Sequence, residues 1–185
     1  MKKQFSIQPA APSDLKAADV VFESSITAAF EQEGLEALID DMQHEIEHKK
    51  QLLRVSLSAS NSDLFFLMAK HNHNVVGTIS YGPCGEDIGK CTNDELGHVG
   101  TLGSLYVLPA YQGQGVGSAL IRALMTRLKE MEVTHFCLDS GFKIAQTKWL
   151  RKFGAPYTIA KDYWGKDGGH MVWLCEVQDF LQEIE

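Results

Sequence analysis

Between Leu105 and Leu120 the chain passes from a strand-like run through Pro109 into a turn with three alternating glycines, Gly113, Gly115 and Gly117, and then into an amphipathic helix. A strand, a glycine turn and a helix in succession constrain the fold to mixed α/β, and they form a physical cradle for phosphate. The first amide groups of a helix lack intrahelical partners, and the helix dipole places partial positive charge there. Glycines let the backbone approach an anion with no Cβ in the way and permit positive φ, and the Ser118 hydroxyl adds a further donor. The spacing discriminates among cradles. No lysine follows Gly117 as a G-x-x-x-x-G-K-[ST] loop requires, and Gly113, Gly115 and Ser118 miss the G-x-G-x-x-G dinucleotide pattern. What remains is Gln112-Gly113-Gln114-Gly115-Val116-Gly117, a Q-x-x-G-x-G turn.

The rest of the chain reads as one mixed α/β domain over residues 1–185. Phe5 to Gln8 predicts a first strand, and Pro12-Ser13-Asp14 a helix start followed by apolar residues at Leu15, Ala18, Val21, Phe22 and Ile26. A second helix is predicted from about Leu35 to Leu53, with a stripe of Leu35, Leu38, Ile39, Met42, Ile46 and Leu53. Leu64–Ala69 and Val75–Tyr81 read as a hairpin turning at His71-Asn72-His73-Asn74, and 83–95 as a polar loop. Strands are predicted over Val99–Val107, Thr134–Leu138, Tyr157–Lys161 and His170–Val177. Helices are predicted from Val116 to about Glu130 and from Ala145 to Lys152. The order is β-α-α-β-β-β-α-β-α-β-β.

With that order in place, the stretch Gly103 to Leu120 resembles the acetyl-CoA segment of the GNAT superfamily of N-acetyltransferases, and the element order is similar over residues 5–177. The resemblance implies a mixed, mostly antiparallel sheet whose central parallel strands splay apart, flanked by about four helices. It implies acetyl-CoA as cosubstrate and no metal. The backbone of Leu105, Tyr106 and Val107 would bind the pantetheine arm, and Gln112, Gly113, Gln114, Gly115, Val116, Gly117 and Ser118 the pyrophosphate. The acceptor would be a primary amine of a small molecule or peptide, attacking directly in a ternary complex. Acceptor pockets in the family are lined by segments matching residues 28–36 and 160–170 here. Many relatives dimerise, which leaves a homodimer open.

Acetyl transfer needs a neutral amine, a stabilised oxyanion and a proton for the leaving thiolate. Family members often place a glutamate where this chain has Thr101, and a tyrosine where it has Leu150, with Trp149 beside it. Candidate bases are therefore Glu95 and His98, ahead of the same strand, or Glu31 and Glu33. Candidate acids are Tyr157 and Tyr163, the latter beside Trp164. The two substitutions also motivate an alternative: a catalytically weak acyl-CoA-binding or regulatory module on the same fold.

His44-Glu45-Ile46-Glu47-His48 satisfies both H-E-x-x-H and H-x-x-E-H. At about 100° per residue the two histidines face away from the apolar stripe, toward solvent, and no third ligand is evident. His71, His73, Cys84 and Cys91 fit no zinc spacing. A net charge of −7 argues against nucleic acid or an anionic membrane as partner. No window reaches the roughly 18 apolar residues of a spanning helix, and no apolar run follows Lys2 and Lys3. Four cysteines without C-x-x-C pairing point to reduced thiols and a cytoplasmic protein.

Overall fold

A computed structural model describes residues 4–58 and 63–181; Lys2 and Lys3 lie outside them. The chain forms two compact units, Met1–Tyr81 with Gly103–Thr126, and Gly82–Leu102 with Arg127–Glu185. It is a mixed α/β fold. Strands pair in the order β1-β2-β3-β4 in the first unit and β4-β5-β7-β6 in the second, with β4 entering both.

In the first unit β1 (Ser6–Pro9) lies antiparallel to β2 (Phe65–His71), and β2 to β3 (Asn74–Gly82), with Leu67 opposite Ile79. Asn72 and His73 turn the hairpin at φ +50° and +67°, the paired positive values of a tight right-twisted hairpin. Helix α1 (Leu15–Gln32) buries Ala18, Val21, Phe22 and Ile26 and packs on α2 (Ile39–Ser58), which buries Ile46 and Leu53. α1 ends at Gly34, φ +72°, where the Leu35 amide donates to the Phe30 carbonyl at 2.9 Å, a Schellman closure. That closure places Leu35 to Leu38 outside the helix, so α2 starts later than its periodicity predicts. Leu38 and Ile39, expected on the buried stripe, are 45% and 65% exposed.

Strand β4 (Thr101–Val107) carries Ser104 at φ +47° and buried, a left-handed residue inside a strand that re-aims the backbone after it. The Ser104 carbonyl accepts the Thr78 hydroxyl at 2.7 Å. Helix α4 (Val116–Glu130) buries Leu120, Ile121, Leu124, Met125 and Leu128. Gly77 permits the close approach there: a Cβ on it would meet the Tyr106 carbonyl and Val116 at 3.1 Å and Leu120 at 3.2 Å.

In the second unit the residues expected as a polar loop contain helix α3 (Glu86–Cys91). One fully buried residue, Ile88, anchors it in a cluster with Leu96, Val99, Cys137 and Val172. A six-residue helix with one anchor shows no periodicity to read; with it the described residues hold five α-helices, against about four expected. β4 starts in this unit, parallel to β5 (His135–Ser140), with Thr101 opposite Cys137. From Gly103 onward it belongs to the first unit. β7 (His170–Glu176) is antiparallel to both β5 and β6 (Thr158–Ala160). α5 (Lys143–Phe153) contributes Phe153 to an aromatic group with Phe136 and Phe180.

Candidate functional site

The glycine turn is built as its sequence demands. Gly113 and Gly115 stand at φ +71° and +85°, values that a side chain would strain by about 1–2 kcal/mol. The first helical bond is from the Ala119 amide to the Gly115 carbonyl, 3.0 Å, so the amides just before Ala119 have no partner inside α4. A Cβ on Gly113, Gly115 or Gly117 would meet nothing within 4 Å. The two glutamines brace the turn from within: Gln112 Nε2 donates to the Val107 carbonyl at 3.1 Å, and Gln114 Nε2 to the Ala110 carbonyl at 2.8 Å. Their side chains fasten the turn to the carbonyls that precede it. An open surface at a helix N-terminus, where the first amides lack intrahelical partners, fits a pyrophosphate.

Tyr106 ties β4 to α2 through its hydroxyl, which donates to Glu45 at 2.9 Å, while its ring meets Phe22 edge-on. Burial alone would raise the Glu45 carboxyl, but hydrogen bonds from His48, Lys49 and Tyr106 and the Lys49 charge outweigh it and hold the group at about 2. The glutamate of the H-E-x-x-H pattern is thus a strut, and His44 and His48 are exposed, as the helical geometry predicts. Because the folded value lies below the ordinary 4.5, the stabilisation is present above that pH and lost as pH falls toward 2. The side chain is 33% exposed, so we expect no more than about 1 kcal/mol. Thermal unfolding of Glu45→Gln should show a deficit at pH 7 that narrows at pH 3; equal deficits at both would refute the strut.

The residues singled out for proton transfer are dispersed. Glu95 and His98 lie exposed in the turns before β4, which begins only at Thr101. Glu95 accepts the Tyr157 hydroxyl at 2.8 Å, which raises the Tyr157 phenol. Tyr163 donates to Asp87 at 2.6 Å. That bond, with burial and the Asp87 charge, lifts the phenol well above its usual range, and it commits the hydroxyl proton to Asp87. Thr101 accepts the Gly85 amide at 3.1 Å and secures the segment leading into α3. Leu150 is 41% exposed.

A second constellation was not anticipated. The pairing of β5 with β7 sets Asp139 opposite Val172, and side-chain alternation puts His170 on that same face. His170 is 3% exposed; its Nε2 lies 2.8 Å from Asp139 Oδ2, and its Nδ1 is 3.0 Å from the Trp164 indole nitrogen. An indole N–H only donates, so Nδ1 carries the lone pair and Nε2 the proton that goes to Asp139. Tyr163 meets Trp164 edge-on with ring centres 4.9 Å apart and lies tilted 5.2 Å from His170. Gly141 makes the arrangement fit, since a Cβ there would stand 2.5 Å from the indole nitrogen. Ligand atoms of Asp87, Asp139 and His170 lie within 4.8 Å of one another, a spacing a cation could bridge. Both ring nitrogens of His170 are already committed, so we read the group as a hydrogen-bond network. The only sequence signal was a polar residue inside each apolar alternation, Asp139 after Cys137 and His170 before Val172.

The surroundings of the four thiols favour the protonated form. Burial pushes Cys137 and Cys175 up to about 12, and burial with nearby carboxylates raises Cys84 and Cys91. All four are free.

Residues 25–155 match the model of the acetyltransferase (GNAT) family, across both units. The chain belongs to that family. Solved structures share the fold. Among them, a PaiA N-acetyltransferase from Thermoplasma acidophilum in complex with coenzyme A superposes with a TM-score of 0.68 at 17% identity, covering 94% of this chain and 99% of that one. The ribosomal-protein-S18-alanine N-acetyltransferase from Escherichia coli gives 0.62 at 16%, covering 94% of each. A ribosomal-protein-alanine N-acetyltransferase from Brucella melitensis gives 0.59 at 20%, covering 92% and 99%. A search of curated proteins found no match.

Proposed function

We propose that the protein transfers acetyl from acetyl-CoA to a primary amine of a small molecule or peptide, by direct attack in a ternary complex. The observation that carries this reading is the Gln112–Ser118 turn, with two glycines at positive φ and open space where a Cβ on any of its three glycines would stand. It would hold the pyrophosphate, and the backbone of Leu105 to Val107, re-aimed by Ser104, the pantetheine arm. Acetyl-CoA supplies the activated acyl thioester. The chain's own contribution is to bind and orient the reactants, which supplies much of the rate of such a reaction, and to accept the amine's proton. Direct attack is supported by the thiols: four cysteines with raised pKa values offer no ready acyl carrier. The net charge of −7 suits a cationic acceptor. Among the described residues no helix is long and apolar enough to cross a membrane, and the unpaired thiols support a cytoplasmic location.

The alternative, a weak acyl-CoA-binding module, rests on Thr101 and Leu150. Thiol release from acetyl-CoA over a panel of polyamines, amino sugars and peptide N-termini, run beside calorimetry, separates the two. We expect turnover of at least one amine. Tight acetyl-CoA binding with no turnover of any acceptor would establish the binding module instead.

A further inference from the structure

We infer that His44 and His48 form a binding site for a late divalent transition metal on the outer face of α2, with Glu45 as the carboxylate that orients His48. The site lies wholly within the first unit and stands apart from the transferase reading.

Histidines four positions apart project from one face of a helix, one turn above the other. Helix α2 runs from Ile39 to Ser58, so the spacing is realised: the two rings lie 6.4 Å apart at their centres and 23° from parallel. Both residues are exposed, and among the described residues no hydrogen bond occupies either nitrogen of His44. At His48 the Nδ1 atom is 3.9 Å from Glu45 Oε2. A carboxylate only accepts, so it favours the tautomer with the proton on Nδ1 and leaves Nε2 as the ligand atom. A ligand histidine whose other nitrogen faces a carboxylate is the usual outer shell of a protein-bound metal. Glu45 is itself fixed, by the Tyr106 hydroxyl at 2.9 Å and by Lys49 at 3.3 Å. The group of Asp87, Asp139 and His170 lacks this freedom, because both nitrogens of its histidine are committed.

The charge around the pair suits a cation. Asp40 precedes His44 by four positions, on the same row of the helix, and Asp40 and Asp41 both lie in the first turn of α2. Residues 31–41 carry Glu31, Glu33, Glu36, Asp40 and Asp41 and no lysine or arginine, a run that raises the local concentration of dications. The lysines nearby are paired, Lys49 with Glu45, and Lys50 with Glu23 at 2.7 Å and Glu47 at 3.0 Å. Imidazole ligands select zinc, nickel and copper, whereas carboxylates alone suit magnesium or calcium. Two imidazoles leave the other coordination positions to water. The site binds a metal and does not hydrolyse: the glutamate that an H-E-x-x-H centre uses as its base is bonded here to Tyr106. A bound ion clamps one turn of α2, the helix that packs on α1.

Zinc chloride titrated into the full chain, followed by calorimetry and by thermal unfolding, tests the site against His44→Ala, His48→Ala and Glu45→Gln. Both histidines are exposed and alanine favours helix, so the two alanine variants are expected to fold. Losing an outer carboxylate costs about 10–100-fold in metal affinity. We therefore expect Glu45→Gln to weaken zinc binding by about 10-fold, and each alanine variant by at least as much. Zinc should raise the thermal midpoint of the wild type, because it binds the folded helix, and at the same concentration should leave that of His44→Ala unmoved. Copper should bind more tightly than zinc, and a large excess of magnesium should leave the zinc isotherm unchanged. Wild-type zinc affinity in both alanine variants overturns the site. So does displacement of zinc by magnesium, which assigns the ion to the carboxylates. Unchanged zinc affinity in a folded Glu45→Gln protein overturns the orienting role of Glu45. No acetyl-CoA or amine enters these measurements, so their failure and that of the transferase reading are separate results.

Discussion

Gly117→Glu is expected to abolish acetyl-CoA binding while leaving the protein folded. Gly117 lies in the first turn of α4, and a Cβ there enters open space. The backbone there is not left-handed, unlike that of Gly113 and Gly115. A side chain at 117 is therefore accommodated, and glutamate at the start of a helix is even favoured by the dipole. The same carboxylate sits where the pyrophosphate would bind and repels it, and its methylenes occupy the approach. We expect a loss of at least about 100-fold in affinity by calorimetry, or about 2.7 kcal/mol, with a thermal midpoint within a few degrees of wild type. Gly117→Ala is the control: it adds only a methyl, strengthens the helix by up to about 1 kcal/mol, and should retain most of the affinity. Gly115→Glu is expected to lose binding too, but its φ of +85° confounds repulsion with strain. Unchanged affinity in a folded Gly117→Glu protein removes the cradle from the mechanism.

Trp173→Ala is expected to destabilise the protein by about 3–5 kcal/mol. Trp173 is fully buried on β7, the strand hydrogen-bonded to both β5 and β6. Its indole donates to the Gly154 carbonyl at 2.9 Å, just past the end of α5, where Gly154 turns the chain at φ +76°. Truncation opens a cavity and strips that carbonyl of its partner. Against a typical total of roughly 5–15 kcal/mol, such a loss lowers the thermal midpoint by about 10 °C or more. Urea unfolding checks it through the midpoint at unchanged slope. Trp173→Phe fills most of the space and loses only the donor, so about 1–3 kcal/mol is expected. A Trp173→Ala protein within about 1 kcal/mol of wild type contradicts this account of the second unit's core.

The conformation of the glycine turn was legible because it is local. Amides at a helix start, alternating glycines and a preceding strand are all set by neighbours in sequence, and the turn has the positive φ values its glycines foretold. Helix α4 was equally readable, since Leu120, Leu124 and Leu128 repeat at the helical period. Helix α3 was not, because one anchor in six residues has no period. The start of α2 was misplaced because the Schellman closure at Gly34 outweighed the apolar pattern of Leu35, Leu38 and Ile39. Ser104, an ordinary polar residue, gave no sign that it would stand at positive φ inside a strand.

The proton-handling groups show the division most sharply. Glu95, His98 and Tyr163 were chosen for residue type and nearness in sequence, and the structure gives Glu95 and Tyr163 separate partners. The network of His170 comes from β5, β7 and the loop between β6 and β7, and Asp87 from α3. Asp87, Asp139 and His170 are far apart in sequence, and only the antiparallel register of β5 against β7 puts Asp139 and His170 on one face. The sequence by itself determined the fold class, the order of elements apart from α3, and the left-handed glycine turn, because each depends on short-range periodicity or on backbone freedom at single residues. Which acids and bases meet, and which nitrogen of His170 carries the proton, was decided by tertiary structure, because a hydrogen bond depends on distance in space.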